Sequence, residues 1–135
     1  MFFAIIAIIS TFISTGNKIE ITDAWLRTGA KGLNSALYFK IENHSDKTDT
    51  LYKVSSDIAQ HIMMHKTYRK NDMMGMKEIK DIAIKPNSSV EFRPGGYHVM
   101  LMNLTGDIKK GDKLGFILYF KSAGEVNVNA IAQNR

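Results

Sequence analysis

From residue 17 onward the chain alternates between short runs of apolar or every-other-apolar positions and clusters of turn residues, with no long stretch of apolar residues at helical spacing. Strands are expected over residues 18–28, 35–43, 50–55, 61–68, 76–84, 89–92, 98–104, 113–121 and 125–131. Between them stand Gly29-Ala30-Lys31-Gly32, Asn43-His44-Ser45-Asp46, Pro86-Asn87-Ser88, Pro94-Gly95-Gly96, Thr105-Gly106-Asp107 and Ala123-Gly124, residue types that supply the backbone angles of a reversal. Turn signals about 8 to 12 residues apart predict an all-β sandwich or barrel. Residues 114–120 are almost wholly apolar and should lie mid-sheet, whereas residues 125–131 alternate, with one face in water.

The first residues follow a different pattern. Phe2 to Ile13 form one apolar run, followed by Ser14-Thr15-Gly16, as in a secretory segment with its cleavage site. The run is shorter than the roughly 18 apolar residues of a spanning helix. Residues 1–16 are therefore expected to be a signal peptide cut after Gly16, with an uncleaved membrane anchor as second choice. No Lys or Arg precedes the run, so the terminal amine alone provides its positive end. Residues 17–135 form the domain; the length of the chain and its 44% aliphatic and aromatic content suit a single packed core.

Charge and cysteine content narrow the chemistry. The net charge of +5 is moderate and its lysines are scattered, which disfavours a nucleic-acid binder. The absence of cysteine removes disulfides, thiolate zinc, iron–sulfur clusters, thiol catalysis and the thiolate-ligated blue-copper centre of electron transfer. Neither a G-x-S-x-G elbow nor an H-E-x-x-H helix is present, and the chain is not expected to be an enzyme.

Four residues stand out by type and spacing: His65, then after ten intervening residues Met76, and after another twenty-one His98, with Met100 two positions on. Imidazole and thioether are soft, neutral donors that suit monovalent copper far better than magnesium, calcium or manganese. On a strand, His98 and Met100 share a face, with Val99 and Leu101 on the other; likewise His61, Met63 and His65 oppose Ile62 and Met64. Met76 is expected to close a loop over residues 66–75, reversed by Asn71-Asp72 and Gly75. For Met63, Met64, Met73, Met74 and Met102, packing in core or loop is the favoured role, and for His44 a solvated turn.

The pattern H-x10-M-x21-H-x-M, with Asp23-Ala24-Trp25-Leu26-Arg27, Pro94-Gly95-Gly96-Tyr97-His98-Val99-Met100-Leu101-Met102, Lys110-Gly111-Asp112 and Ala123-Gly124-Glu125-Val126, resembles the periplasmic copper chaperones of the PCuAC family. The resemblance implies a cupredoxin-like Greek-key sandwich and one Cu(I) held by His65, Met76, His98 and Met100. Members often carry a methionine directly after the first histidine, where this chain has Lys66-Thr67. The chain ends soon after its last strand without the His/Met-rich tail of some relatives, so a single metal position is expected. The resemblance further implies a periplasmic protein that gives copper to a respiratory oxidase subunit or exchanges it with a thiol-bearing chaperone. The alternative is a secreted sandwich that serves as a binding or adhesion module.

Overall fold

The computed structural model describes residues 18–135; the expected signal segment, residues 1–16, lies outside the described residues. Ten strands run in chain order as β1 (Ile19–Arg27), β2 (Ser35–Asn43), β3 (Asp49–Ser55), β4 (Ala59–Lys70), β5 (Met73–Ile79), β6 (Ile82–Ile84), β7 (Ser88–Phe92), β8 (Tyr97–Leu104), β9 (Lys113–Phe120) and β10 (Gly124–Gln133). They form one continuous sheet in the order β5-β4-β8-β7-β2-β1-β10-β9-β3-β6, wrapped around a shared interior so that β6 also meets β2 and β7. The all-β class read from the alternation, and the cupredoxin-like fold implied by the resemblance, are what the structure shows. β9 lies mid-sheet between β10 and β3, and β10 alternates buried and exposed positions as its sequence predicts.

The interior is filled from alternate positions of facing strands, including Leu37, Phe39 and Ile41 of β2, Val99 and Leu101 of β8, and Phe116, Leu118 and Phe120 of β9. Each such side chain contributes about 1.5–3 kcal/mol by leaving water. Phe39 stacks on Phe92 at 4.6 Å between ring centres, and Phe92 meets Tyr97 at 5.6 Å, so aromatic contacts continue to the entrance of β8.

One bulge decides which residues share the outer face with the candidate ligands. The β1–β2 register shifts between Thr22 and Trp25, where Asp23 has φ of 52°. Before the bulge Ile19 and Ile21 point inward; after it Leu26 does, and Trp25 turns outward onto Tyr38 and Ala36. Arg27 and Arg135 cover that pair, their guanidinium carbons 5.5 Å and 4.6 Å from the Trp25 ring centre, and Asp23 bonds Arg135 at 2.8 Å. Ala36 is paired with Met100, so this outer cluster borders the candidate ligands.

Two sequence expectations need correction. Residues 66–75 are not a loop: β4 continues to Lys70 and β5 begins at Met73, joined by Asn71 and Asp72 with φ of 52° and 63°. Two successive left-handed residues make the tight hairpin turn whose twist matches its strands. Gly75 is thus mid-strand rather than a turn residue, paired with Tyr68, whose hydroxyl would stand 2.7 Å from an added Cβ. The expected strand 76–84 is divided into β5 and β6 by a bend at Lys80.

Candidate metal centre

His65 and His98 face each other directly across the β4–β8 ladder. Their rings meet edge to face, with centres 5.6 Å apart and planes at 82°. The next rung pairs Met63 with Met100, which puts Met100 on the same face as both histidines. On the other side of β4, Met76 is opposite Thr67, and Thr67 shares the face of His65 two residues before it. The four residues singled out by spacing therefore occupy adjacent places on one face of three neighbouring strands. Behind them Met64, Val99 and Leu101 are buried in the core and fix the two central strands.

The histidines differ in how their rings are held. His98 is buried, and its Nδ1 lies 3.2 Å from the Gly96 carbonyl. A carbonyl oxygen only accepts, so Nδ1 carries the proton and Nε2 keeps a free lone pair. The same carbonyl accepts the Thr67 backbone N–H at 3.1 Å, tying the turn before β8 to β4 beside His65. Burial holds the His98 imidazole below its ordinary pKa of 6.5; the bond to Gly96 works the other way, and the nearby His65 adds to the lowering. The lowering favours the neutral ring, the state in which an imidazole can bind a metal.

His65 is half-buried, and its Nδ1 is buried with no hydrogen-bond partner among the described residues. An orphaned nitrogen of this kind carries a desolvation cost unless something with an electron vacancy, such as a metal ion, meets it. Met100 is half-buried, whereas Met76 is 54% exposed on β5, the first strand of the sheet order. The donor set therefore combines a fixed imidazole, an unpaired one, a sheltered thioether and an open thioether. Such a group suits a soft monovalent ion and leaves one side accessible for exchange.

The structure also sorts the remaining methionines. Met64 packs in the core as expected, but Met73 and Met74 are 72% and 62% exposed and pack in neither core nor loop. Met63 and Met102 stand on the ligand face. Sequence reasoning missed the Gly96 carbonyl, since a backbone acceptor has no signature in residue type, and Glu78, which faces His65 across the β4–β5 ladder. A second grouping, Glu20, Glu42 and His44, holds its ligand-type atoms within 4.8 Å of one another, but His44 already bonds Glu20 at 2.9 Å and Lys40 pairs with Glu42 at 3.3 Å.

Known proteins bear on this arrangement. A family model for LpqE-like lipoproteins matches residues 19–132. Among curated relatives, Lxx21020 of Leifsonia xyli subsp. xyli is 28% identical over 103 residues, 76% of this chain and 61% of the relative. RP573 of Rickettsia prowazekii is 30% identical over 102 residues, 75% of this chain and 56% of the relative. The chain thus spans about three-fifths of the length of the curated relatives it matches. Among solved structures, the copper-bound PCuAC domain from PmoF2 superposes with a TM-score of 0.74 and 28% identity, covering 88% of this chain and 95% of that one. DR1885 of Deinococcus radiodurans with Cu(I) gives 0.65 and 25% identity, covering 84% and 78%. Both structural relatives carry copper, and the fold on which they carry it is the one described above.

Proposed function

The chain belongs to the LpqE-like family and has the fold of the PCuAC domains, and from that premise we propose that it is an extracytoplasmic copper carrier rather than an enzyme. It binds one Cu(I) in this group through His65, Met76, His98 and Met100, and passes the ion in the periplasm to a respiratory oxidase subunit, directly or by exchange with a thiol-bearing chaperone. The observation that carries this reading is the facing pair of histidines, one ring oriented by Gly96 and the other with its buried Nδ1 unpaired. The copper carried by structural relatives at 25–28% identity supports the choice of metal. Among the described residues no helix is long and apolar enough to cross a membrane, and the family's lipoprotein designation fits export.

The layout supports a direction of release. Met76 stands on an edge strand and more than half of it is in solvent, while Met100 sits between β4 and β2. An acceptor's donor would replace Met76 first, since a neutral, exposed thioether is the contact least held by its surroundings, and His65 and His98 would hold the ion until the second bond forms. Lys66, Arg69, Lys70 and Lys77 flank Met76 on the hairpin and would favour an acidic acceptor surface. No thiol takes part, so the carrier keeps its donors in an oxidising compartment.

An anaerobic Cu(I) titration against a competing chelator tests the ligand set. His65→Ala, Met76→Leu, His98→Ala and Met100→Leu should each weaken the tight position at least about tenfold, ~1.4 kcal/mol or more, with the far-ultraviolet spectrum of the sheet unchanged. Wild-type affinity in the two methionine variants would refute the assignment.

A further inference from the structure

The ligand face continues past the four residues. From the rung of His65 and His98, the ladder runs to Met63 with Met100 and then to His61 with Met102. Every residue of these three rungs is His or Met. Side chains directly opposite in an antiparallel pair have Cβ atoms about 4.5–5.5 Å apart, and same-face neighbours along a strand lie about 6.8 Å apart. Methionine, unbranched and with three rotatable bonds, spans such a step.

Packing does not account for the outer end of this row. The intervening residues Ile62, Met64, Val99 and Leu101 are the ones that contact the core. His61 is exposed and makes no hydrogen bond or ion pair among the described residues, and Met63 and Met102 are half-buried. β5 ends at Ile79, opposite Met64, so no paired strand flanks His61 on that side. The neighbouring side chains Asn103 and Gln60 are engaged with each other, the Asn103 amide donating to Gln60 Oε1 at 2.7 Å.

We infer that His61, Met63 and Met102 form a second Cu(I) position, weaker than the first and one rung beyond it on the same face. One imidazole and two thioethers make a neutral three-donor set of the soft type that Cu(I) accepts. Met100, lying between the two positions, gives the ion an intermediate thioether, so cargo can step along the row as well as leave at Met76. This goes beyond the four-residue centre: the three donors of the second position are not ligands of the first, and only the transfer step uses Met100.

Anaerobic Cu(I) titration of the intact protein, followed through the methionine methyl and histidine ring resonances, tests it. The first equivalent should move Met76 and Met100. The second, bound at least about tenfold more weakly, should move Met63, Met102 and the His61 ring. His61→Ala and Met102→Leu should abolish the second event and leave the first unchanged, and Met76→Leu should weaken the first while the second persists. Binding of a single ion by the wild type, or a second event that survives His61→Ala, would overturn the inference. A first equivalent that leaves Met76 and Met100 unmoved would instead refute the four-residue centre, so the two failures are distinct.

Discussion

His98 shows how a single imidazole is buried and oriented without any charged partner. The alternation of residues 98–101 already divides this strand into a ligand face and a core face, so the shared direction of His98 and Met100 is legible in the sequence. The backbone partner that fixes the ring is not, because the Gly96 carbonyl reaches Nδ1 only once the turn at residues 94–96 has formed. Nor could the sequence disclose that His65 keeps a buried nitrogen unpaired. Burial gives His98 a testable titration. Its folded pKa lies below 6.5, so the unfolded chain takes up the proton first as pH falls. The metal-free protein should therefore keep this contribution to stability above pH 6.5 and lose it as pH falls through the lower folded value. An NMR titration should place the His98 midpoint below 6.5; a midpoint at or above 6.5 would mean the ring is not desolvated as described.

Among the elements, the strands that enclose the core were the readable ones, because there burial imposes a period of two. β10 shows it plainly, and β2 shows it from Phe39 to Asn43. The inner part of β4 and the reversal at Asn71-Asp72 were readable, but the outer end of the β4–β5 hairpin was not: Lys66, Arg69 and Lys70 are exposed, and a ladder in solvent leaves no apolar alternation to find. The parallel pairing of β1 with β10 joins the two ends of the domain and has no local signal either. Yet the hairpin positions Met76, and its geometry depends on Gly75 accommodating the ring of Tyr68, an aromatic side chain laid over an edge glycine. Gly75→Ala would bring Cβ to 2.7 Å from the Tyr68 hydroxyl. Because Tyr68 is 44% exposed, its ring can swing away, and the substitution should lower stability by less than about 1 kcal/mol in urea denaturation while shifting the Tyr68 ring resonances. A loss above about 2 kcal/mol would show that the ring is held in place.

For the whole molecule, the sheet is a support in which β4 and β8 are anchored from behind by the buried Met64, Val99 and Leu101 and the edge strand β5 carries an open thioether. Such a body can hold a soft ion without a thiol and release it without unfolding. The bulge at Asp23 adds the Trp25 and Tyr38 cluster along the inner border of the ligand face, and the exposed Met76 lies on its opposite, hairpin side. The claim on which carriage depends is that two imidazoles and two thioethers meet at one ion. X-ray absorption at the copper edge, on protein loaded anaerobically with one equivalent of Cu(I), measures this directly. The predicted spectrum contains two imidazole nitrogens and two sulfur scatterers, and loses one sulfur in Met76→Leu. A first shell of nitrogen and oxygen alone, or a spectrum unchanged in both Met76→Leu and Met100→Leu, would contradict it.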